Sequence, residues 1–264
     1  MQTYSLCLAS SEDEEAITAR LMELGGVFLY STQTEADATE LICQSSGSVL
    51  DVLKREFAIA SAQPFELPDI DWESQWALHG QGYEEGLLHM RMSDYGAAVL
   101  ADVYMRPGPG FGDLSHPTTR LCLRLMGSVV RGKRVLDIGC GSGVLSLAAA
   151  ALGATAVQGI DIDPAAVEHA RANAELGDWP CAIAFDLVGS EQQADLILMN
   201  MIRSEQDLAW KDLAPLMITS GIRTEEAQQY EAQWALRGWV SVGRMDEDGW
   251  CAFLMRKEES AAGR

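Results

Sequence analysis

A glycine-rich turn between an apolar strand and a helix constrains the fold of this chain more than any other feature. Residues 135–143 read Val-Leu-Asp-Ile-Gly-Cys-Gly-Ser-Gly and lead into the apolar stretch 144–152. Glycines at these positions let the backbone turn sharply and let a ligand approach it closely. The turn therefore predicts a cofactor site at the carboxyl end of a buried parallel strand.

The chain around this turn alternates between strand and helix patterns. The predicted elements are, in chain order, helix 118–130, strand 134–138, helix 144–152, strand 156–161, helix 164–176, strands 181–185 and 195–200, helix 204–213, strand 216–222 and helix 224–236. Residues 239–245 and 250–256 are predicted to close the sheet as a hairpin around Asp246–Gly249. This alternation predicts an α/β fold, a Rossmann-like domain with a seven-stranded, mostly parallel sheet.

The first 67 residues predict a separate, small α+β domain. Strands over 3–8, 27–30, 41–44 and 64–67, with one helix opening at a capping box at Ser11 and another over 49–57, give the βαββαβ order of a ferredoxin-like unit. Residues 68–76 are predicted as a linker that includes a short helix over 72–76. Residues 77–264 are then predicted to form the larger α/β domain, which begins with extended segments over 87–92 and 97–104.

The glycine pattern distinguishes between two classes of cofactor. A dinucleotide site needs G-x-G-x-x-G, and both frames fail because Val144 and Ser146 occupy the final position. The pattern is instead D-x-G-x-G-x-G, which places Asp137 before Gly139 and Gly141. A carboxylate there suits the cationic S-adenosylmethionine and repels phosphates. We expect these three residues at an S-adenosylmethionine site, although Asp137 has the alternative role of orienting the turn.

Three further polar residues follow the predicted strands. Asp161 lies 161 − 139 = 22 residues after Gly139, the spacing at which a carboxylate receives ribose hydroxyls. Asp163 precedes a proline and reads as a helix N-cap. Asp186 is a candidate for the adenine end of the cofactor or a plain loop carboxylate. Asn200 ends the fourth strand, where it can hold the cofactor or orient an incoming amine as the catalytic residue, or simply cap the strand.

A loop rich in glycine and proline, residues 107–119, precedes these motifs. Its aromatic residue, Phe111, suits a lid over the cofactor. His116 has two readings, a general base or, more commonly for a histidine before proline, a residue that structures the loop.

Charge and cysteine content limit the classes of partner and location. The formal charge is −20, from 39 acidic and 19 basic residues, which disfavours direct nucleic-acid binding and favours a basic partner or serves solubility alone. Six scattered cysteines without C-x-x-C spacing fit a reducing cytosol, and the four histidines form no metal-ligand pattern. Neither an apolar run of about 18 residues nor a secretory-signal pattern is present. We expect a cytoplasmic monomer without metal.

The chain resembles the PrmA family of ribosomal protein L11 methyltransferases. The similar segments are residues 107–119, 137–145, 159–164, 199–202 and 219–223, in the family's order. The resemblance extends to the small leading domain. Departures are Asp113 and Leu114 in the loop, where the family has Thr and Gly, and Met201-Ile202 after the asparagine, where it has Ile-Leu.

The resemblance implies a function and a set of contacts. Thr119, Gly139, Asp161 and Asn200 would contact S-adenosylmethionine, and the leading domain would recognise ribosomal protein L11. The reaction would methylate lysine side chains or an N-terminal α-amine. The alternatives are a methyltransferase of this fold with another protein or small-molecule substrate, a non-catalytic binding module, and a dinucleotide oxidoreductase, which the failed glycine frames disfavour.

Overall fold

A computed structural model describes residues 2–8, 14–33, 38–66, 74, 77 and 82–258 of the chain. The chain divides into two compact units, Met1–Ile70 and Asp71–Arg264. The predicted linker 68–76 and its short helix lie outside the described residues, apart from Ser74. No helix in the described part is long and apolar enough to cross a membrane.

The first unit has the predicted βαββαβ order. Its elements are β1 (Gln2–Leu8), α1 (Glu14–Glu23), β2 (Val27–Gln33), β3 (Thr39–Ser45), α2 (Gly47–Glu56) and β4 (Ile59–Pro64). The strands form an antiparallel sheet in the order β2-β3-β1-β4. The Ser46 side chain caps α2 by accepting from the Val49 amide. The capping box predicted at Ser11 lies outside the described residues.

The prediction of the last strand of this unit over 64–67 was wrong. The strand begins at Ile59, three residues after the second helix ends at Glu56, and ends at Pro64. Its exposure does not alternate, because only Ile59 and Ala62 pack partly against the core and the other four residues are exposed. A strand without a period-two pattern gives no sequence signal, and only its last residue, Pro64, falls within the predicted range.

The second unit carries the parallel sheet. Its elements are β5 (Tyr83–Glu84), β6 (Leu87–Met90), β7 (Val103–Met105), α3 (Pro117–Met126), β8 (Arg134–Ile138), α4 (Val144–Ala151), β9 (Ala156–Asp161), α5 (Pro164–Ala174), β10 (Ala182–Leu187), β11 (Leu196–Asn200), α6 (Arg203–Ala209), β12 (Leu216–Arg223), α7 (Ala227–Ala235), β13 (Trp239–Glu247) and β14 (Trp250–Lys257). The seven-stranded order is β10-β9-β8-β11-β12-β14-β13, and β5-β6-β7 form a small separate sheet. The seven-stranded sheet and its closing hairpin are confirmed.

Local sequence explains most boundaries in this unit. Strand β8 is buried from Val135 onward, and all eight residues of α4 are buried, as expected for elements covered on both sides. The hairpin turns at Asp248 and Gly249, whose φ angles of 51° and 79° are those of a type I′ turn. Three helices are at least three residues shorter than predicted: α3 ends at Met126, α6 ends at Ala209, and α7 begins only at Ala227, after a 3-10 turn over Thr224–Glu226.

Candidate functional site

The glycine turn after β8 requires left-handed backbone. Gly139, Gly141 and Gly143 have φ angles of 72°, 54° and 83°. The Gly139 and Cys140 amides donate to the Ile160 carbonyl at 2.8 and 3.0 Å, which fixes the turn to β9. A Cβ on Gly139 would meet the flexible tip of Met201 at 2.4 Å. The side chain of Met201, the residue after Asn200, therefore covers the backbone of Gly139.

Asp161, at the end of β9, joins this turn to the start of α5. Its two carboxylate oxygens accept from the amides of Gly141 and Asp163, each at 3.0 Å. Each carboxylate oxygen has a second lone pair, so the half-exposed group can still receive two hydroxyl donors. Asp163 caps α5 by accepting from the Ala165 amide at 2.9 Å, and its predicted structural role is confirmed.

Asp137 lies behind the turn. Its side chain is buried and accepts from the Ser146 hydroxyl of α4 at 2.7 Å. Burial raises the pKa of Asp137 to about 7, the Ser146 hydrogen bond acts in the opposite direction, and the charge of Asp161 adds to the increase. This contact fits the alternative reading, in which Asp137 orients the turn, and a role toward the cofactor stays a prediction.

The loop before α3 packs directly on the glycine turn. The Ser142 amide donates to the Phe111 carbonyl at 2.8 Å, and the Ser142 hydroxyl donates to the Gly112 carbonyl at 2.6 Å. A Cβ on Gly110 would lie 2.5 Å from backbone atoms of Gly141 and Ser142. The Phe111 ring is 56% exposed, as expected of a side chain at the rim of a site.

Two residues of α5 hold both the loop and the turn. His169 Nε2 donates to the Arg106 carbonyl at 2.7 Å, and its Nδ1 accepts from the Gly110 amide at 3.1 Å. Asn173 accepts from the Arg106 amide at 2.8 Å and donates to the Ser142 carbonyl at 2.9 Å. These bonds require the neutral Nε2–H tautomer of His169, and burial lowers its pKa. Sequence reasoning missed both residues, although their i, i+4 spacing puts them on one helix face.

His116 serves as the N-cap of α3. Its Nδ1 accepts from the Thr118 amide at 3.3 Å and contacts the Thr118 hydroxyl at 2.8 Å. The ring packs edge-on against Phe111 and Trp250, at centroid distances of 5.7 and 5.0 Å. Burial, and then the charge of Arg120, lower the pKa of His116. These contacts favour the loop-structuring reading of His116 over general-base catalysis.

Arg120 is a further residue that sequence reasoning missed. Its guanidinium donates to the carbonyls of Leu114 and Ser115 at 2.6 and 2.7 Å and to Glu247 at 2.8 Å. It therefore ties the loop to the β13–β14 hairpin. An arginine on an amphipathic helix gives no signal that it turns inward, so only the structure shows this role.

Two predicted site residues keep unused hydrogen-bonding groups. Thr119 is fully buried, and its Oγ1 has no hydrogen-bond partner among the residues that the structure describes. Asn200 is half-buried at the end of β11, and no hydrogen bond to its side chain is found within the described ranges. Asp186, in contrast, lies inside β10 and contacts Gln158 at 3.3 Å and Arg171 at 3.8 Å.

The available groups fit S-adenosylmethionine. Asp161 offers acceptors for ribose hydroxyls, Thr119 an unpaired hydroxyl and Asn200 a free amide. The Asp161 carboxylate beside the glycine turn makes the surroundings of these groups acidic. A cationic ligand is stabilised in such surroundings, whereas a pyrophosphate is repelled.

Comparison with known proteins places these motifs in a family. A family model described as ribosomal protein L11 methyltransferase (PrmA) matches residues 10–258. The chain is 34% identical over 213 residues to the ribosomal protein L11 methyltransferase of Pseudomonas aeruginosa, covering 69% of this chain and 70% of that protein. It is 30% identical over 225 residues to that of Macrococcus caseolyticus, covering 79% and 71%.

Among solved structures, the chain is similar to a ribosomal protein L11 methylase from Lactobacillus delbrueckii subsp. bulgaricus. The sequence identity is 26% and the TM-score is 0.49, with 59% of this chain and 84% of that chain covered.

Proposed function

This chain belongs to the family of ribosomal protein L11 methyltransferases, and from that premise we propose that it methylates amines of ribosomal protein L11. The methyl donor is S-adenosylmethionine. We further propose that the accepting groups are lysine side chains, the N-terminal α-amine, or both. The observation that carries the proposal is the position of Asp161. Its carboxylate accepts a hydrogen bond from the Gly141 amide of the glycine turn and keeps lone pairs that can accept from ribose hydroxyls.

The residues of this chain would hold and align the two reactants. Asp161 would receive the ribose hydroxyls, Gly139 and Gly141 would let the cofactor approach the backbone, and Thr119 would donate its unpaired hydroxyl. Asn200 would orient the lone pair of the incoming amine. The Phe111 side chain and the tip of Met201 would exclude water. When bound, the cofactor supplies a methyl group on a positively charged sulfur.

The reaction needs no dedicated base in this arrangement. A lysine amine has a pKa of about 10.4, so deprotonating it at pH 7 costs about 4–5 kcal/mol, and an α-amine with a pKa of about 8 costs only about 1 kcal/mol. The positive charge of the sulfonium and removal from water both lower this cost. The chain therefore contributes chiefly proximity and alignment. The contacts that occupy His116 agree with this view.

The partner of this site would be a basic protein. The net charge of −20 attracts a lysine-rich substrate. We propose that the leading α+β unit recognises ribosomal protein L11, that the enzyme acts as a monomer in the cytoplasm, and that it does not bind nucleic acid directly.

The test is transfer of labelled methyl from S-adenosylmethionine to purified ribosomal protein L11, with modified residues identified by mass spectrometry. We expect label on lysine or on the N-terminus, and its loss in Asp161→Ala. The control variant is Glu231→Ala, which changes a partly buried acid on α7 and should leave transfer unchanged. If the protein binds S-adenosylmethionine but transfers no methyl group, the assignment of ribosomal protein L11 as the substrate is refuted and that of the cofactor stands.

A further inference from the structure

A buried polar network lies directly behind the segment that contains Asn200. Its members are Gln206 on α6, Thr219 on β12 and Tyr230 on α7, all 1% exposed or less. We propose that Gln206 is a positioning residue, which fixes the Asn200–Ile202 backbone in the geometry that binds S-adenosylmethionine and receives the amine. The part of this inference that concerns the amine rests on the proposed function.

The carboxamide of Gln206 is fully used. Its Nε2 donates to the carbonyls of Met201 and Ser220 at 2.7 and 2.9 Å. Its Oε1 accepts from the hydroxyls of Thr219 and Tyr230 at 2.9 and 2.6 Å. Because two backbone carbonyls can accept only from an NH₂ group, the orientation of the amide is fixed by its partners. The Gln206 carboxamide thus has no donor or acceptor left for solvent or ligand, so Gln206 acts through the backbone it holds.

The backbone held in this way is the one that covers the glycine turn. The tip of Met201 lies above Gly139, as described for the site. On the other side, a Cβ on Gly221 would lie 2.1 Å from the Met201 carbonyl oxygen, and Gly221 has a φ of 92°. Met201 is therefore packed against β12 at a position where only glycine fits, with its carbonyl directed to Gln206.

This direction of the Met201 carbonyl has a consequence for the reacting amine. Asn200 ends β11 with a side chain that pairs with no other described residue, while the neighbouring Met201 carbonyl is held by the buried Gln206 amide. The side-chain carbonyl oxygen of Asn200 is then the acceptor that this segment presents to an amine. Tilting the segment would move that amide and uncover Gly139. Misplacement of a reacting group by about 1 Å costs on the order of 100-fold in rate.

Two substitutions test the role of Gln206. In Gln206→Leu, both carbonyls lose their donor, and we expect kcat to fall by about 10- to 100-fold and the affinity for S-adenosylmethionine to fall with it. In Gln206→Glu, only the protonated carboxyl can donate to a carbonyl. Cofactor affinity and kcat of that variant, relative to the unmodified protein, should therefore be highest at low pH and decline as pH rises. Burial raises the pKa of both Tyr230 and Cys251, so these nearby groups stay neutral in this range.

The matched control is Gln229→Leu on α7, which changes an exposed glutamine that contacts Arg203 at 3.1 Å. It should leave affinity and kcat unchanged. Tyr230→Phe provides a milder change if Gln206→Leu does not fold: Thr219 still donates to Oε1, so we expect a small loss of affinity in a folded protein. Calorimetric binding of S-adenosylmethionine and methyl transfer to ribosomal protein L11 are measured for each variant, and folding is checked by circular dichroism.

The outcomes separate the inference from the proposed function. Reduced affinity in folded Gln206→Leu or Tyr230→Phe, with the pH dependence of Gln206→Glu, supports the positioning role. Variants that melt at a lower temperature but bind and transfer like the unmodified protein would overturn it, because the network would then be only structural. If the unmodified protein binds the cofactor but does not methylate ribosomal protein L11, the substrate is refuted, and the cofactor affinities still decide the role of Gln206.

Discussion

Replacing Thr119 by valine tests whether its hydroxyl contacts the cofactor or stabilises the fold. The side chain is fully buried and its hydroxyl has no partner. A buried polar group without a hydrogen bond costs about 1–3 kcal/mol. Because valine has nearly the same shape, Thr119→Val should stabilise the cofactor-free protein, by about 1 kcal/mol at the lower end of that range. A domain of 150–250 residues would then melt about 2–4 °C higher.

The same substitution should weaken cofactor binding. If the Thr119 hydroxyl donates to the cofactor, its loss removes one hydrogen bond, worth about 0.5–1.5 kcal/mol to a neutral acceptor and about 1.5–3 to a charged one. At about 1.4 kcal/mol per factor of ten, the dissociation constant rises between about twofold and 150-fold. Thermal melting with and without S-adenosylmethionine, together with calorimetry, measures both effects on one sample.

The neighbouring residue provides the control. The Thr118 hydroxyl contacts His116 Nδ1 at 2.8 Å, so Thr118→Val removes a bond that is made and should lower the melting temperature. Adjacent threonines are thus expected to respond with opposite signs. A Thr119→Val protein that melts lower than the unmodified one, or that binds the cofactor equally well, would refute the assignment.

Three further predictions concern the loop and the reacting segment. Gly110→Ala places a Cβ 2.5 Å from the backbone of the glycine turn and should abolish cofactor binding by calorimetry, whereas Gly47→Ala, which has open space, should not. His169→Ala removes two bonds to the loop, about 1–3 kcal/mol in sum. Burial lowers the pKa of His169, so the unfolded state binds a proton more readily than the folded state does. The contribution of His169 to stability is therefore complete above the unfolded pKa of about 6.5 and is lost as pH falls through the folded pKa. The difference in melting temperature between wild type and His169→Ala should therefore shrink from pH 7.5 to 5.5, and a constant difference would count against the anchor. Asn200→Ala should lower kcat strongly with little change in melting temperature, and an unaffected rate would exclude it as the catalytic residue.

The parts of the fold that the sequence predicted depend on contacts between near neighbours. The turn around Gly139, the Asp163 cap and the Asp248–Gly249 hairpin each follow from the residues that form them. The strand at Ile59 was missed because its burial does not alternate: only Ile59 and Ala62 are partly buried, and the other four residues are exposed. The position of β14 between β12 and β13 was also not predicted, since strand order depends on long-range pairing.

The supporting residues could not be predicted for the same reason. Arg120 and Glu247 pair across 127 residues, and His169 contacts Gly110 across 59. Each lies in a helix or strand whose local pattern allows either an exposed or an inward orientation. These donors and acceptors are distant in sequence, and only the folded structure brings them to 2.8 and 3.1 Å from each other.

The loop before α3 is held by side chains that depart from the family's sequence pattern. Where the family has threonine and glycine, this chain has Asp113 and Leu114. Asp113 accepts from the Ser115 amide at 2.8 Å and from the Ser115 hydroxyl, which forms a local turn of the kind that aspartate favours. Leu114 is buried, and its carbonyl is held by Arg120. The departure therefore replaces a glycine by residues that make fixed contacts.

The residues that support the site differ from those expected to bind the ligand in how many of their hydrogen-bonding groups are used. The guanidinium of Arg120 is saturated with hydrogen bonds, whereas the side chains of Thr119 and Asn200 have none among the described residues. An unused polar group of this kind is available to a ligand.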